Sequence, residues 1–195
     1  MTFRQRIFKL LYPLVMKLTK SSDKGAKLSN SNNRAPLQSI YPLQIKMNSG
    51  QAISLENYRG KKLLLVNTAS NCGFTNQYDD LQHLYEQYAD KLTIIGFPSN
   101  EFKQQEQGDD KAIADFCRIN FGVTFPITSK TLVLRGGEQN EVYRWLTQPD
   151  LNGWNSHNPD WNFSKYLINE NGVLTHYFGP SVSPLSDEVK KAVNQ

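Results

Sequence analysis

Leu63-Leu64-Leu65-Val66-Asn67-Thr68-Ala69-Ser70-Asn71-Cys72-Gly73-Phe74-Thr75 decides how this chain of 195 residues is read. The nearly continuous apolar run at 63–68 is what a strand buried on both faces of a parallel sheet requires. Cys72 follows it in a short turn. Beyond the turn, Tyr78, Leu81, Leu84, Tyr85 and Tyr88 recur at helical spacing. Cys72 is therefore expected at a strand-to-helix junction, beside the unpaired N–H groups of a helix start. Such a position favours the thiolate, the reactive form of a cysteine.

Outward from this unit, strand and helix signals alternate. Residues 39–46 and the Asn48-Ser49-Gly50-Gln51 turn read as a short strand and its exit. Residues 92–97 form a second buried strand, stopped at Pro98. Asp109 or Asp110 can cap a helix carrying Ile113, Phe116 and Cys117, and a further helix carries Val142, Tyr143, Trp145 and Leu146. Residues 161–168 and 173–178 flank Asn169-Glu170-Asn171-Gly172, a strong hairpin signal. A last helix is expected from Pro184, carrying Leu185, Val189 and Val193. Parallel crossover units ending in an antiparallel hairpin predict an α/β fold of thioredoxin-like type. Its central mixed sheet holds a parallel βαβ unit and a C-terminal antiparallel hairpin, flanked by helices.

Bulk properties narrow the chemistry. The net charge of +4 is modest, and much of it sits in residues 1–27, where seven Lys and Arg face Asp23 alone. The remainder is close to neutral, so nucleic acid is not an expected partner. Two cysteines in a chain of this length do not make a secreted disulfide framework. His83, His157 and His176 lack ligand spacing, so neither a metal nor another cofactor is expected. Residues 1–34 read as a basic extension and polar linker, and residues 35–195 as the domain. The apolar run at 7–16 is too short to span a bilayer and is bracketed by lysines. It also lacks the pattern of a signal peptide. A basic segment with bulky apolar residues can lie on a membrane surface. A transit-like leader and a solvated, partly helical extension are the alternatives. A cytoplasmic location is expected, with membrane contact through residues 1–20 left open.

Four motifs, in order over most of residues 38–190, resemble the glutathione peroxidase family. They are Val66 to Thr75 as quoted above; Gly96-Phe97-Pro98-Ser99-Asn100-Glu101-Phe102 with Gln105-Glu106-Gln107-Gly108; Phe121-Gly122-Val123-Thr124-Phe125-Pro126; and Trp161-Asn162-Phe163-Ser164-Lys165-Tyr166. The set is specific where any single motif would be weak. The resemblance is to cysteine-containing, non-seleno members of thioredoxin-dependent type. It implies an antioxidant peroxidase that reduces hydrogen peroxide and organic hydroperoxides. Cys72 is then the peroxidatic nucleophile, with Gln105, Trp161 and Asn162 as donors around it. Gln104 competes for the glutamine role, and Glu106 and Gly108 set the register. Lys103-Gln104 replace the family's usual Gly-Gly, and Gln107 its usual proline.

Cys117 is, by the same resemblance, the resolving cysteine of a redox-active disulfide, with thioredoxin as reductant. A buried core cysteine is the other reading. Ser99 stands where relatives often carry a further cysteine. The short segment at 131–138 resembles the monomeric branch, and no arginine cluster suggests a glutathione site. Two alternatives stay open: a glutathione-dependent peroxidase of the same fold, and a peroxide sensor or thiol relay acting on a protein partner.

Overall fold

A computed structural model describes residues 3–19 and 25–195. Residues 21–24 of the expected linker lie outside the described residues. The strand that leads to Cys72 is β4 (Lys62–Thr68), an interior strand with all seven residues buried. It pairs in parallel with β5 (Leu92–Pro98), which it reaches through α2 (Gln77–Gln87). On its other side lies β6 (Lys165–Ile168), antiparallel, followed by β7 (Leu174–Phe178) and β1 (Lys27–Ser29). The order β1-β7-β6-β4-β5 is the mixed sheet expected from the sequence.

The alternation of side chains along β4 divides the core in two. Leu64 and Val66 face the cluster that also holds Tyr78 and Leu81 of α2, Ile113 and Cys117 of α3 (Asp110–Phe121), and Val189 and Val193 of α6 (Asp187–Asn194). Leu63 and Leu65 face the other side, with Val142, Tyr143, Trp145 and Leu146 of α4 (Glu141–Thr147). A short helix, α5 (Pro149–Asn152), follows at once. The N-terminal helix α1 (Phe3–Thr19) packs Tyr12, Val15 and Met16 against the first of these clusters.

Caps explain the helix ends. Asp109 caps α3, accepting from the Ala112 amide at 2.8 Å, while Asp110 instead accepts from the Lys130 amide at 2.7 Å. Gly122 ends α3 in the left-handed region, at φ 61°. The hairpin turn closes on Asn169, whose Oδ1 accepts from the amides of Asn171 and Val173. Gly172 is required there twice over. Its φ is 78°, and a Cβ would stand 2.8 Å from the Tyr41 ring.

Three expectations need correction. Residues 39–46 yield only β2 (Gln44–Lys46), because Pro42 and a preceding turn keep the first half out of a ladder. β2 pairs with β3 (Ala52–Ser54) in a separate two-stranded sheet. Trp161 does not start a strand. Its carbonyl accepts from Asn67 Nδ2 and Ser164 Oγ, which makes residues 161–164 a turn. Finally, residues 27–29 of the expected linker are an edge strand, held by register with residues 176–178 of β7. A short polar segment of this kind gives no apolar alternation to read.

Candidate active site

Three segments converge at the C-terminal end of β4: the Cys72 turn, the loop carrying Gln105, and the turn at Trp161. Thr75 shapes the first. Its hydroxyl donates to the Ala69 carbonyl at 2.8 Å and accepts from the Cys72 amide at 3.0 Å. A run of i-to-i+3 bonds from Thr75 to Asp79 then leads into α2. Cys72 thus precedes α2 by five residues rather than opening it. One donor at its sulfur is the Phe74 amide, at 3.4 Å. β4 lies inside the sheet, so the turn stands over its interior.

The Gln105 loop is tied to this turn at the backbone, where the Asn71 amide donates to the Gln105 carbonyl at 3.0 Å. From the third segment, Asn162 Nδ2 donates to Gln105 Oε1 at 3.0 Å. Asn162 is wholly buried, and its Oδ1 has no hydrogen-bond partner among the described residues. The Asn67 side chain bonds the Trp161 carbonyl, and the Phe163 amide bonds the Asn67 carbonyl at 2.6 Å. The indole of Trp161 packs at a tilt against Phe102, centroids 5.5 Å apart, with Lys103 Nζ 5.7 Å from its ring. Gln105, Trp161 and Asn162 are therefore all brought to the Cys72 end of β4.

This assembly stores backbone strain. Lys103, Gln104 and Phe163 all have left-handed φ, at 53°, 52° and 67°. For residues with a Cβ that costs about 1 kcal/mol or more each. Two glycines at 103 and 104 would remove the cost, which fits the departure noted in the sequence. The loop keeps its conformation because the bonds to Gln105 and the packing of Phe102 against Trp161 hold it.

Glu106, a register mark in the sequence, clamps two of the segments. It is 1% exposed, and its Oε2 accepts from the Ser70 amide at 2.8 Å and the Ser70 hydroxyl at 3.0 Å. Its own amide donates to Asn100 Oδ1. Burial pushes its carboxyl up to about 7, against the opposing pull of the Ser70 bonds and Lys130. Between about pH 4.5 and 7 the native state therefore holds a proton that the unfolded chain has released. Stability from this group falls as pH rises through that window, by on the order of 3 kcal/mol. Glu106→Gln should flatten this part of the curve in denaturant melts from pH 5 to 8. Parallel curves for the two proteins would contradict the assignment.

Cys117 sits about two turns into α3 and is 1% exposed. Burial pushes its thiol up to about 12, with Tyr78 opposing and Glu106 adding to the shift. Both cysteines are buried thiols, not a disulfide. Lys165 carries no sign of its role in the sequence beyond its place in a motif. Its buried Nζ donates to Gln77 Oε1, the Pro180 carbonyl and the Val182 carbonyl, tying β6 to α2. Burial holds its pKa well below the usual lysine range.

α1 also reaches the site, which the sequence did not reveal. Gln5 Nε2 donates to Asn71 Oδ1 at 3.0 Å and to the Ser70 carbonyl at 3.3 Å. Val15 packs over Gly73, and the Tyr12 hydroxyl donates to Asp80 at 3.1 Å. Beside the turn a depression of about 170 Å³ opens between Ser70, Asn71, Glu106 and the first turns of α3. No cluster of three or more metal-ligating side chains occurs among the described residues.

A parallel β4–β5 pair joined through α2 and extended by the antiparallel hairpin β6–β7 is a thioredoxin-like fold. A thioredoxin-family thiol:disulfide interchange protein from Chlorobium tepidum shares that fold at 17% identity and a TM-score of 0.57, covering 82% of this chain and 97% of its own. The structure of Trgpx in apo form is nearer, at 31% identity and a TM-score of 0.60, over 81% of this chain and 97% of its own. The glutathione peroxidase family model matches residues 40–147. The glutathione peroxidase homolog BsaA of Staphylococcus epidermidis is 40% identical over 158 residues, 80% of this chain and 99% of that protein. The glutathione peroxidase-like peroxiredoxin 2 of Saccharomyces cerevisiae is 40% identical over 149 residues, 76% of this chain and 91% of that protein. The chain belongs to the glutathione peroxidase family, and it is a peroxidase that reduces hydroperoxides at the expense of a thiol reductant.

Proposed function

We propose that Cys72 is the peroxidatic nucleophile of a thioredoxin-dependent hydroperoxide reductase, with Cys117 as its resolving partner. The observation that carries this reading is the bond from Asn162 to Gln105 Oε1 above the Cys72 turn. With its carbonyl oxygen held, Gln105 presents Nε2 as a two-proton donor for the reacting atoms. The Cys72 thiolate attacks the terminal peroxide oxygen and the O–O bond breaks. Sulfur is oxidised to sulfenic acid, and the leaving oxygen takes a proton and departs as water or an alcohol. Donors from Gln105, Trp161 and Asn162 stabilise the thiolate and the developing alkoxide.

Resolution would follow by attack of the Cys117 thiolate on the sulfenic sulfur, expelling water and forming the Cys72–Cys117 disulfide. Two thiols of thioredoxin then restore both cysteines. In the closed state Cys117 is protonated and shielded, so this step needs the last turns of α3 to open. Opening would return the thiol to its ordinary pKa and expose it to Cys72. The short segment at 131–138 supports work as a monomer, and the cysteine content supports a cytoplasmic setting. A glutathione-dependent cycle is the second reading, and the buried, strongly raised thiol of Cys117 favours it. A sensor role, passing oxidation from Cys72 to a protein partner, uses the same first step.

Asn162→Ala and Gln105→Ala test the donor set. Each should slow oxidation of Cys72 by about a hundredfold, the usual loss for one preorganised donor. Stopped-flow oxidation with hydrogen peroxide reads it directly. Wild-type rates in a folded variant would remove that residue from the mechanism.

A further inference from the structure

We propose that α1 is an in-plane docking helix for anionic lipid bilayers, which seats the Cys72 turn at the membrane surface. Its two faces differ. Gln5, Tyr12, Val15 and Met16 look inward, onto the Cys72 turn and α2. Ile7, Leu10, Leu11, Leu14 and Leu18 look the other way and are exposed, Leu10 by 81% and Leu18 by 70%. Their spacing of three and four residues makes one continuous apolar stripe on a helix. An exposed stripe of this length is not needed for the core, because the inward face already anchors the helix. Arg6 and Lys17 are exposed beside it.

Charge selects the occupant. Residues 1–27 hold Arg4, Arg6, Lys9, Lys17, Lys20, Lys24 and Lys27 against Asp23. A second copy meeting the stripe face to face would bring Arg6 and Lys17, exposed beside it, close to their counterparts. An anionic bilayer instead pairs with them while its interface takes up the leucines. A helix lying flat is about 10 Å across, so docking brings the Cys72 turn within one helix diameter of the headgroups. No helix among the described residues is long and apolar enough to cross a membrane, which suits an in-plane arrangement.

The docking stands on α1 alone; its consequence for substrate rests on the peroxidase reading. Hydroperoxides carried on membrane lipids would be delivered to the side of the enzyme where Cys72 lies. Full-length protein should co-sediment with phosphatidylcholine vesicles containing phosphatidylserine, and about tenfold or more less with phosphatidylcholine alone. Leu10→Glu/Leu14→Glu, both exposed and so tolerated by the fold, should lower binding to the anionic vesicles by roughly tenfold or more. Arg6→Glu/Lys17→Glu should erase the preference for anionic lipid. Against hydrogen peroxide in solution the leucine variant should match wild type. Against phospholipid hydroperoxide in anionic vesicles it should fall by about tenfold or more.

Equal partitioning of wild type and the leucine variant would overturn the docking. So would self-association without vesicles that the leucine variant abolishes, since the stripe would then join copies of the chain. Equal rates on vesicle-borne hydroperoxide despite lost binding would overturn its link to the site. A wild type that binds vesicles but leaves hydrogen peroxide untouched would defeat the peroxidase mechanism and leave the docking standing.

Discussion

Cys72→Ser abolishes hydroperoxide reduction with every reductant, by on the order of ten-thousandfold or more. Deleting an attacking nucleophile has effects on this scale or beyond, because the remaining donors have nothing to activate. Serine should fit the site. Cys72 is fully buried, and the Phe74 amide that faces its sulfur can donate to a hydroxyl instead. The loss is therefore expected in a protein that melts close to wild type. Cys117 does not substitute while α3 is closed, since burial within that helix pushes its thiol up to about 12. Peroxide consumption followed directly, without a coupled reductase, measures the effect. Substantial turnover in the folded variant would place the chemistry elsewhere.

Cys117→Ser separates the two halves of the cycle. The first oxidation of Cys72 should proceed at the wild-type rate, trapped as a sulfenic acid by dimedone. Thioredoxin-coupled turnover should fall by about a hundredfold or more, because the sulfenic acid then lacks its internal partner. The substitution buries a hydroxyl beside Tyr78, which costs about 1–3 kcal/mol and should show as a lower melting midpoint. Normal thioredoxin turnover would make Cys117 a core residue and nothing more. Rapid turnover with glutathione in both proteins would favour the glutathione-dependent cycle.

Much of this was legible because it rests on local pattern. The apolar run of β4, the helical spacing of α2 and the Asn-Gly turn each fix one element with little help from the rest of the chain. The convergence of Gln105 and Asn162 came from motif resemblance, since residues 57 positions apart leave no mark in periodicity. Other features had no local signal. β1 is three residues long and exposed, and it exists only because β7 offers it an edge. The turn at 161–164 is imposed by Asn67, from another strand. Glu106 reads as a solvated loop acid until Ser70 is seen against it. The inward face of α1 shows only when the Cys72 turn is present to receive Gln5 and Val15. Lys103 and Gln104 were visible as departures, but their cost became physical only with the left-handed backbone.

Mass spectrometry of the wild-type protein after one equivalent of hydrogen peroxide tests the central claim most directly. The account predicts a product lighter by two hydrogens, a linked Cys72–Cys117 peptide after digestion, and return to the dithiol with reduced thioredoxin. A protein left with both thiols intact, or oxidised at Cys117 while Cys72 stays reduced, would contradict it.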